Sequence, residues 1–263
     1  MQLEGTVPTL SERIAQTVVK MYLEPILEPH FHEDSYGYRP GKSAIQAVSK
    51  TRQRCWRYGW LYEFDIKGAF DNIDHALLMR ALRKHTDNEW VLLHIERWLT
   101  APMQRPDGVI EQRARGTPQG VVMSPFLSNV VLDEWDKELE RGGHRFVRYG
   151  DDCNIYVNSR RAGERIKASL TRFITQRLKL RVNEAKSAVD VPQKRKFLGF
   201  TFTAGRSANR RKIAPESLRR FKAQVRQLTR RNWSISLQER VRRLKTDGLA
   251  RVFWILRNRF SSA

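Results

Sequence analysis

Cysteine is scarce in this chain, which has 2 cysteines among 263 residues. Cys55 and Cys153 lie far apart and share no Cys-x-x-Cys or Cys/His spacing, which argues against a structural zinc site and a disulfide framework. No run approaches the roughly 18 continuous apolar residues of a membrane span, and the first ten residues lack the basic and apolar segments of a secretion signal. We therefore expect a protein of a reducing, cytoplasmic compartment with no membrane partner.

Acidic residues are scarce at the C-terminal end. Residues 191–263 contain 3 Asp and Glu against 20 Lys and Arg, and so carry +17 of the chain's net charge of +21. A basic segment of this kind is either a solvated tail or a surface for polyanions. Apolar and aromatic residues are interleaved with the charges, which favours nucleic acid as the polyanion.

Apolar spacing predicts an alternation of helices and strands. Helices are predicted from Thr9, which can form a capping box with Glu12, to a point before Pro29, and then over 43–58, 74–84, 89–99, 124–139 and 162–178. Strands are predicted over 60–66, 186–190 and 197–203, with a hairpin whose arms are 145–149 and 154–157. The last sixty residues are predicted to be mainly helical. This order indicates an α+β fold in which helices back one face of a sheet.

Three aspartates stand out by their positions. Asp65 ends a predicted buried strand, and Asp151 and Asp152 lie at the tip of the predicted hairpin. An Asp pair at a hairpin tip often serves only to form the turn, with both side chains exposed to water. If neighbouring strands bring Asp65 beside the tip, however, the three carboxylates form a cluster that suits Mg²⁺ and phosphoryl transfer.

The sequence around the hairpin resembles a known family. Tyr149-Gly-Asp-Asp152 resembles the aromatic-x-Asp-Asp signature of reverse transcriptases and viral RNA polymerases. The segments that resemble group II intron-type reverse transcriptases, in the family's order, are SYGYRPGKSAIQAV, FDIKGAFDNIDH, GTPQGVVMSPFLSNVVLDEWD, FVRYGDDCNIYV, LRVNEAKS and KFLGFTF. The resemblance runs from about Pro8 to Phe202.

The resemblance implies a right-hand polymerase fold. We expect partial fingers over 1–60, a palm of antiparallel sheet backed by helices over 61–190, and a primer-grip hairpin over 191–205. The remaining residues, 206–263, resemble the start of a basic helical thumb or maturase region. The chain opens where a basic fingers segment is expected and stops short of a complete maturase domain, so we expect a truncated family member.

The resemblance also implies a metal site. The carboxylates of Asp65, Asp151 and Asp152, with the backbone carbonyl of Ile66, match the ligands of two Mg²⁺ ions, which Asp65 and Asp151 bridge. Asp71 and Asp74 lie in the same block as Asp65. We expect these two to turn the chain and to cap the helix that begins near His75.

Three further residues match nucleotide-binding positions of the family. A glycine at the position of Gly150 is commoner in viral RNA polymerases than in reverse transcriptases. Phe70, however, matches a bulky residue of reverse transcriptases that excludes a 2′-hydroxyl and so selects dNTPs. Without the resemblance, Phe70 is a core aromatic. Gln119 matches a residue that lines the incoming nucleotide. Lys186 matches a lysine near the triphosphate, or is simply an exposed strand residue.

The C-terminal part supplies the remaining candidates. The resemblance places the primer end at Phe197, Leu198 and Gly199. The cations expected to bind RNA through its phosphates, or else to form a solvated helix face, are Arg219, Lys222, Arg226 and Arg230.

The function implied is an RNA-directed DNA polymerase of group II intron type. Its partners are an RNA template, intron RNA, a DNA primer and dNTPs, and its activity is linked to splicing and mobility. Two alternatives stay open at this point: an RNA-binding splicing helper whose polymerase site is idle, and an inactive remnant.

Overall fold

The computed structural model describes residues 9–104, 108–117, 121–203, 211–230 and 235–243. Within these ranges the helices are α1 (Leu10–Leu27), α2 (Ala44–Arg57), α3 (Ala69–Asn72), α4 (His75–Leu82), α5 (Glu89–Thr100), α6 (Ser124–Arg141), α7 (Arg160–Arg177), α8 (Pro215–Leu228) and α9 (Leu237–Arg243). The strands in the same ranges are β1 (Trp60–Phe64), β2 (Met103–Gln104), β3 (Ile110–Glu111), β4 (Arg145–Tyr149), β5 (Asp152–Val157), β6 (Ala188–Asp190), β7 (Phe200–Phe202) and β8 (Arg211–Ile213). None of these helices is long and apolar enough to cross a bilayer. The chain folds into two compact units, Met1–Val191 and Pro192–Ala263.

The first helix begins at a capping box. Thr9 Oγ1 accepts a hydrogen bond from the Glu12 N–H at 3.3 Å, and the Glu12 carboxylate accepts one from the Thr9 N–H at 2.8 Å. Together the two bonds satisfy backbone donors that a helix start leaves without partners. α1 ends at Leu27, ahead of a 3₁₀ turn over Glu28–His30. The predicted helix is confirmed at both ends.

Four strands of the first unit form an antiparallel sheet in the order β4-β5-β1-β6. β4 and β5 are the arms of the predicted hairpin, and Tyr149 pairs with Asp152 where the chain turns. β1 lies between β5 and β6, with Phe64 opposite Cys153 at its end. The predicted antiparallel palm sheet is therefore confirmed.

The main hydrophobic core covers the face of the sheet that carries Phe64. Alternation along the strands also places Ile155 on this face. The side chains of Phe64 and Ile155 join one core with residues of α6 and α7. The Phe64 ring stacks on that of Trp135 in α6, with centroids 4.7 Å apart. Burial of one such aromatic side chain stabilises a fold by roughly 1.5–3 kcal/mol. α6 is thus anchored against the strand that leads to Asp65.

Helix α2 packs on the opposite face of the sheet. Tyr156 points to that face because side chains alternate along β5, and the Arg54 guanidinium of α2 lies 5.7 Å from the centroid of its ring. Arg54 also pairs with the buried carboxylate of Asp34. The expectation that helices back one face only is therefore incomplete. Asp152, on the same face as Tyr156, remains exposed.

The second unit contains a short hairpin followed by a helix. β7 pairs with β8, with Phe200 opposite Ile213, and α8 begins at Pro215. The strand predicted over 197–203 is shorter than expected, because Leu198 and Gly199 adopt φ values of +50° and +84° and form a tight turn. β8 has no counterpart in the sequence-based prediction. The boundaries proposed for fingers, palm and thumb stay predictions.

Candidate active site

Three carboxylates meet at one end of the sheet. The ladder between β1 and β5 ends with Phe64 opposite Cys153, so the adjoining residues, Asp65 and Asp152, are neighbours on one face of the sheet. Asp151 precedes Asp152 in the hairpin turn. The structure therefore brings together the three aspartates that the sequence singles out.

Negative charge is concentrated among these carboxylates. Desolvation by the surrounding protein, followed by the charges of Asp151 and Asp65, raises the pKa of Asp152 to about 6. Burial is also the main cause of the raised pKa of Asp151, and the charge of Asp65 adds to it. Asp65 itself is only 8% exposed. A cation bound at this point would relieve the repulsion between the three groups.

The segment 183–187 packs against Asp65 and supplies a cation. The Asp65 N–H donates to Ser187 Oγ at 3.0 Å, and the Asn183 N–H donates to the Asp65 carbonyl at 2.9 Å. Lys186 Nζ then reaches Asp65 Oδ2 at 3.3 Å. This hydrogen bond and the charge of Asp65 raise the pKa of Lys186, so the amine stays protonated. The predicted nucleotide-binding lysine therefore lies beside the carboxylates.

The carbonyl of Ile66 points toward the carboxylate side. Ile66 forms an antiparallel bridge with Val182, flanked by the Asn183 bond described above and by a 2.8 Å bond from the Lys67 N–H to the Arg181 carbonyl. In a pair of this type, the N–H and C=O of the central residue point away from the partner segment. The Ile66 carbonyl is therefore directed to the side of the chain on which β5 lies.

Oxygen atoms dominate this end of the sheet. Within the described part of the chain, no three His, Cys, Asp or Glu side chains form a ready-made cage for a metal ion. Mg²⁺ does not require one, because it binds through one or two protein carboxylates and completes its shell with waters and substrate phosphates. The Asp65 and Asp151 carboxylates and the Ile66 carbonyl are donors of this kind. The residues present therefore fit a small divalent cation.

A buried ion pair supports the turn that carries Asp151. Arg148 in β4 and Asp136 in α6 have side chains 1% and 0% exposed, and their two hydrogen bonds measure 2.7 and 2.5 Å. The remaining guanidinium nitrogen, Nη1, donates to the Gly150 carbonyl at 2.9 Å and to Asn129 Oδ1 at 2.8 Å. Gly150 has φ +64°, in the left-handed region that favours glycine. Arg148 thus fixes the carbonyl directly before Asp151.

The loop formed by residues 35–42, SYGYRPGK, is attached to the same turn. Asn129 Nδ2 donates to the Gly37 carbonyl at 2.8 Å, and the Tyr36 N–H donates to the Arg148 carbonyl at 2.9 Å. Gly37 approaches so closely that a Cβ on it would lie 2.2 Å from the Gly150 nitrogen. The loop, the turn and α6 therefore form one connected support for the carboxylates.

Phe70 lies in α3, five residues after Asp65. Its ring is partly exposed and meets the Tyr38 ring edge-on, with centroids 6.5 Å apart. The Thr117 N–H donates to the Phe70 carbonyl at 2.7 Å, so Thr117 lies beside Phe70. Gln119 itself lies outside the described residues.

The remaining predicted residues lie in the second unit. Leu198 and Gly199 form the tight turn between Phe197 and Phe200, which exchange backbone hydrogen bonds of 2.8 and 3.0 Å. The predicted RNA-binding cations recur every three or four residues along α8 and just beyond it, and all are exposed: Arg219, Lys222, Arg226 and Arg230. Leu228 is buried, so the helix is amphipathic. The primer-grip and RNA-binding roles stay predictions.

Two residues at this site escape the sequence-based prediction. Arg148 is buried beneath the turn formed by Gly150 and Asp151, and the Tyr38 ring borders the same turn. A charge at Arg148, between Val147 and Tyr149 in a strand predicted to be apolar, is a sequence feature that could have indicated a buried ion pair. No comparable feature marks Tyr38.

Comparisons with known proteins agree with this geometry. Residues 5–202 match the reverse transcriptase (RNA-dependent DNA polymerase) family. The chain is 28% identical to protein YkfC of Escherichia coli strain K12, over 92% of this chain and 72% of that protein. It is 26% identical to the group II intron-encoded protein LtrA of Lactococcus lactis subsp. cremoris, over 92% of this chain and 50% of LtrA.

Solved structures show the same fold at lower identity. Telomerase from Candida tropicalis, truncated from its C-terminal domain, has a TM-score of 0.57 and 14% identity, over 78% of this chain and 45% of the telomerase chain. The present chain therefore spans about half the length of LtrA and less than half of that telomerase chain.

Proposed function

Because the chain belongs to the reverse transcriptase (RNA-dependent DNA polymerase) family, we propose that it extends a DNA primer with dNTPs on an RNA template. The meeting of Asp65, Asp151 and Asp152 at the end of the β1–β5 ladder carries this proposal. The family uses divalent metal ions. In this chain we assign two Mg²⁺ ions to the carboxylates of Asp65 and Asp151 and the carbonyl of Ile66, with Asp152 in a supporting position.

The chain's own residues position the reacting groups. Bound divalent ions supply the positive charge that phosphoryl transfer requires at the attacking hydroxyl and the leaving phosphate. Asp65 and Asp151 would hold those ions at the end of the sheet. Lys186, which contacts Asp65, is in this proposal the proton donor to the pyrophosphate leaving group. Phe70 selects dNTPs because its bulk excludes a 2′-hydroxyl, and Gln119 lines the same nucleotide.

We also propose that the RNA partner is a group II intron and that the activity serves intron splicing and mobility. LtrA, which shares 26% identity with this chain, is a group II intron-encoded protein. The exposed cations of α8 form a face suited to the phosphates of structured RNA. The second candidate function is that of a splicing helper without polymerase activity, which could use the same face.

Primer extension separates the two candidates. With Mg²⁺, dNTPs and a DNA primer on an RNA template, we expect the unmutated chain to extend the primer and Asp151→Ala to abolish extension while RNA affinity stays nearly unchanged. Asp87→Ala removes an exposed carboxylate outside the site and serves as the matched control. Tight RNA binding without extension by the unmutated chain would refute the polymerase proposal and favour the splicing helper.

Nucleotide selection tests the role of Phe70. In Phe70→Val the side chain is smaller, so we expect incorporation of rNTPs relative to dNTPs to rise. The measurement is primer extension with each nucleotide set at matched concentrations. An unchanged ratio would remove Phe70 from the selection of the sugar.

A further inference from the structure

Tyr38 adopts a backbone conformation that side chains rarely take. Its φ is +58°, in the left-handed region that strongly favours glycine and tolerates Asn and Asp better than aromatic residues. The residue is 48% exposed, so the burial of apolar surface does not account for this conformation. Strained residues of this kind persist where the surrounding structure holds them, often at functional sites.

The flanking residues hold Tyr38 in place. On one side, the Gly37 carbonyl accepts the 2.8 Å bond from Asn129. On the other, the Arg39 side chain is 5% exposed, and its guanidinium donates a hydrogen bond to the Glu28 carboxylate at 2.7 Å. The loop is thus anchored before and after Tyr38, and the ring projects from a rigid base.

The Tyr38 ring belongs to an aromatic border around the carboxylates. It lies 6.5 Å from the Phe70 ring and 6.3 Å from the Tyr149 ring, measured between centroids, and all three side chains are partly exposed. Its Cε2 would lie 3.1 Å from a Cβ on Gly150, so it contacts the turn before Asp151. A nucleotide held with its phosphates at Asp151 would therefore extend from a site that this border adjoins.

We propose that Tyr38 is a substrate-positioning residue whose exposed ring stacks against the nucleoside of the incoming nucleotide. The proposal rests on the polymerase function proposed above. Aromatic rings bind nucleobases through stacking whatever the base, because every base has a π-face. Tyr38 therefore adds affinity for all four dNTPs, whereas Phe70 discriminates between sugars.

Steady-state primer extension with varied dNTP concentration tests this role. Tyr38→Asn removes the ring but keeps a residue that tolerates the left-handed backbone. We expect its KM for each dNTP to rise about 5- to 150-fold, the loss typical of one stacked base, with a much smaller change in kcat. Tyr38→Phe keeps the ring and should retain most of the affinity. Trp56→Ala, which removes an exposed ring on α2, is the control for loss of a surface aromatic.

Other outcomes would overturn the proposal. If Tyr38→Asn lowers kcat and leaves KM unchanged, Tyr38 merely supports the turn. If it weakens binding of the primer-template and leaves the dNTP KM unchanged, the ring contacts the template instead.

A measurement of dNTP binding tests the role of Tyr38 without requiring the chain to catalyse polymerisation. The Kd of a dNTP is measured on the complex of the chain with an RNA template and a dideoxy-terminated DNA primer, which cannot react. A Kd that rises about 5- to 150-fold in Tyr38→Asn supports the proposal, even if the unmutated chain fails to polymerise. Equal Kd values, or no dNTP binding by the unmutated chain, would contradict it.

Discussion

The buried pair of Arg148 and Asp136 is costly to disturb. Removing one partner leaves the other charge buried and uncompensated, which typically costs 3–5 kcal/mol. We therefore expect Asp136→Ala to lower the free energy of unfolding by about 3–5 kcal/mol. Urea denaturation followed by circular dichroism measures the change. Asp87→Ala, at an exposed carboxylate, should leave the midpoint nearly unchanged.

Replacing both partners separates the stability of this pair from its positioning role. Asp136→Leu with Arg148→Met puts apolar side chains in place of the charges, and such exchanges are often neutral or stabilising. The Gly150 carbonyl nevertheless loses the donor that holds it at 2.9 Å. We expect the double variant to recover most of the stability that Asp136→Ala loses, yet to extend primers poorly. Recovery of both properties would show that the pair only stabilises the fold.

Ionisation of Asp74, at the start of α4, makes the free energy of unfolding depend on pH. Its carboxylate accepts hydrogen bonds from the Leu77 N–H at 3.0 Å and from Lys179 Nζ at 2.8 Å. Partial burial alone would raise the pKa of Asp74, but these bonds outweigh burial and lower it. A pKa that is lower in the folded state gives stability above the unfolded value of about 3.9, and that stability is lost as the pH falls through the folded value.

Replacement of Asp74 should therefore have a pH-dependent cost. At pH 7 we expect Asp74→Ala to lower the free energy of unfolding by about 1 kcal/mol, the usual cost of a lost N-cap. The difference from the unmutated chain should narrow as the pH falls below about 4. Asp74→Asn keeps a capping oxygen and isolates the contribution of charge. A cost that is the same at pH 7 and pH 3 would show that ionisation of Asp74 contributes nothing.

The close approach of the 35–42 loop to the turn formed by Gly150 and Asp151 depends on the absence of a side chain at Gly37. A Cβ on Gly37 would lie 2.2 Å from the Gly150 nitrogen, so loop and turn would have to separate. We expect Gly37→Ala to weaken primer extension and to lower the thermal midpoint. Gly59→Ala is the matched control, because no atom lies within 4 Å of a Cβ there. Equal behaviour of the two variants would mean that the approach has no role.

Local patterns predict most of the elements in the first unit. The capping box at Thr9 and the hairpin around Gly150 depend on residues close in sequence, so spacing alone locates them. The position of α2 on the second face of the sheet depends on contacts such as Arg54 with Tyr156, which are distant in sequence. In the second unit, β8 depends on pairing with β7, since Arg-Lys-Ile shows no marked apolar pattern.

Some residues of the site can likewise be located from local sequence features, whereas others depend on tertiary contacts. A strand end and a hairpin tip locate Asp65, Asp151 and Asp152, because both are local features. The packing of segment 183–187 against Asp65, which brings Lys186 to 3.3 Å, depends on tertiary hydrogen bonds that periodicity does not contain. The resemblance to known reverse transcriptases, rather than the spacing of residues, is what identifies Lys186 beforehand.

The excess positive charge and the three carboxylates belong to different units of the chain. The first unit, Met1–Val191, contains the three aspartates and carries +4, whereas the second, Pro192–Ala263, carries +17. Attraction to nucleic acid through phosphates falls steeply with salt, because each neutralised phosphate releases condensed counterions. The proposed RNA partner should therefore be bound chiefly through the second unit.

The salt dependence of RNA affinity tests whether RNA is bound chiefly through the second unit. The triple variant Arg219→Gln, Lys222→Gln and Arg226→Gln removes three exposed cations from α8. We expect it to reduce the slope of log affinity for structured RNA against log salt concentration by about 2 to 3, the value for three lost phosphate contacts. The charge-matched control replaces three exposed cations at the start of α7 in the first unit, Arg160, Arg161 and Arg165, with Gln. Equal slopes for the two triple variants, measured by filter binding across a range of KCl concentrations, would show that RNA responds to net charge and not to the α8 face.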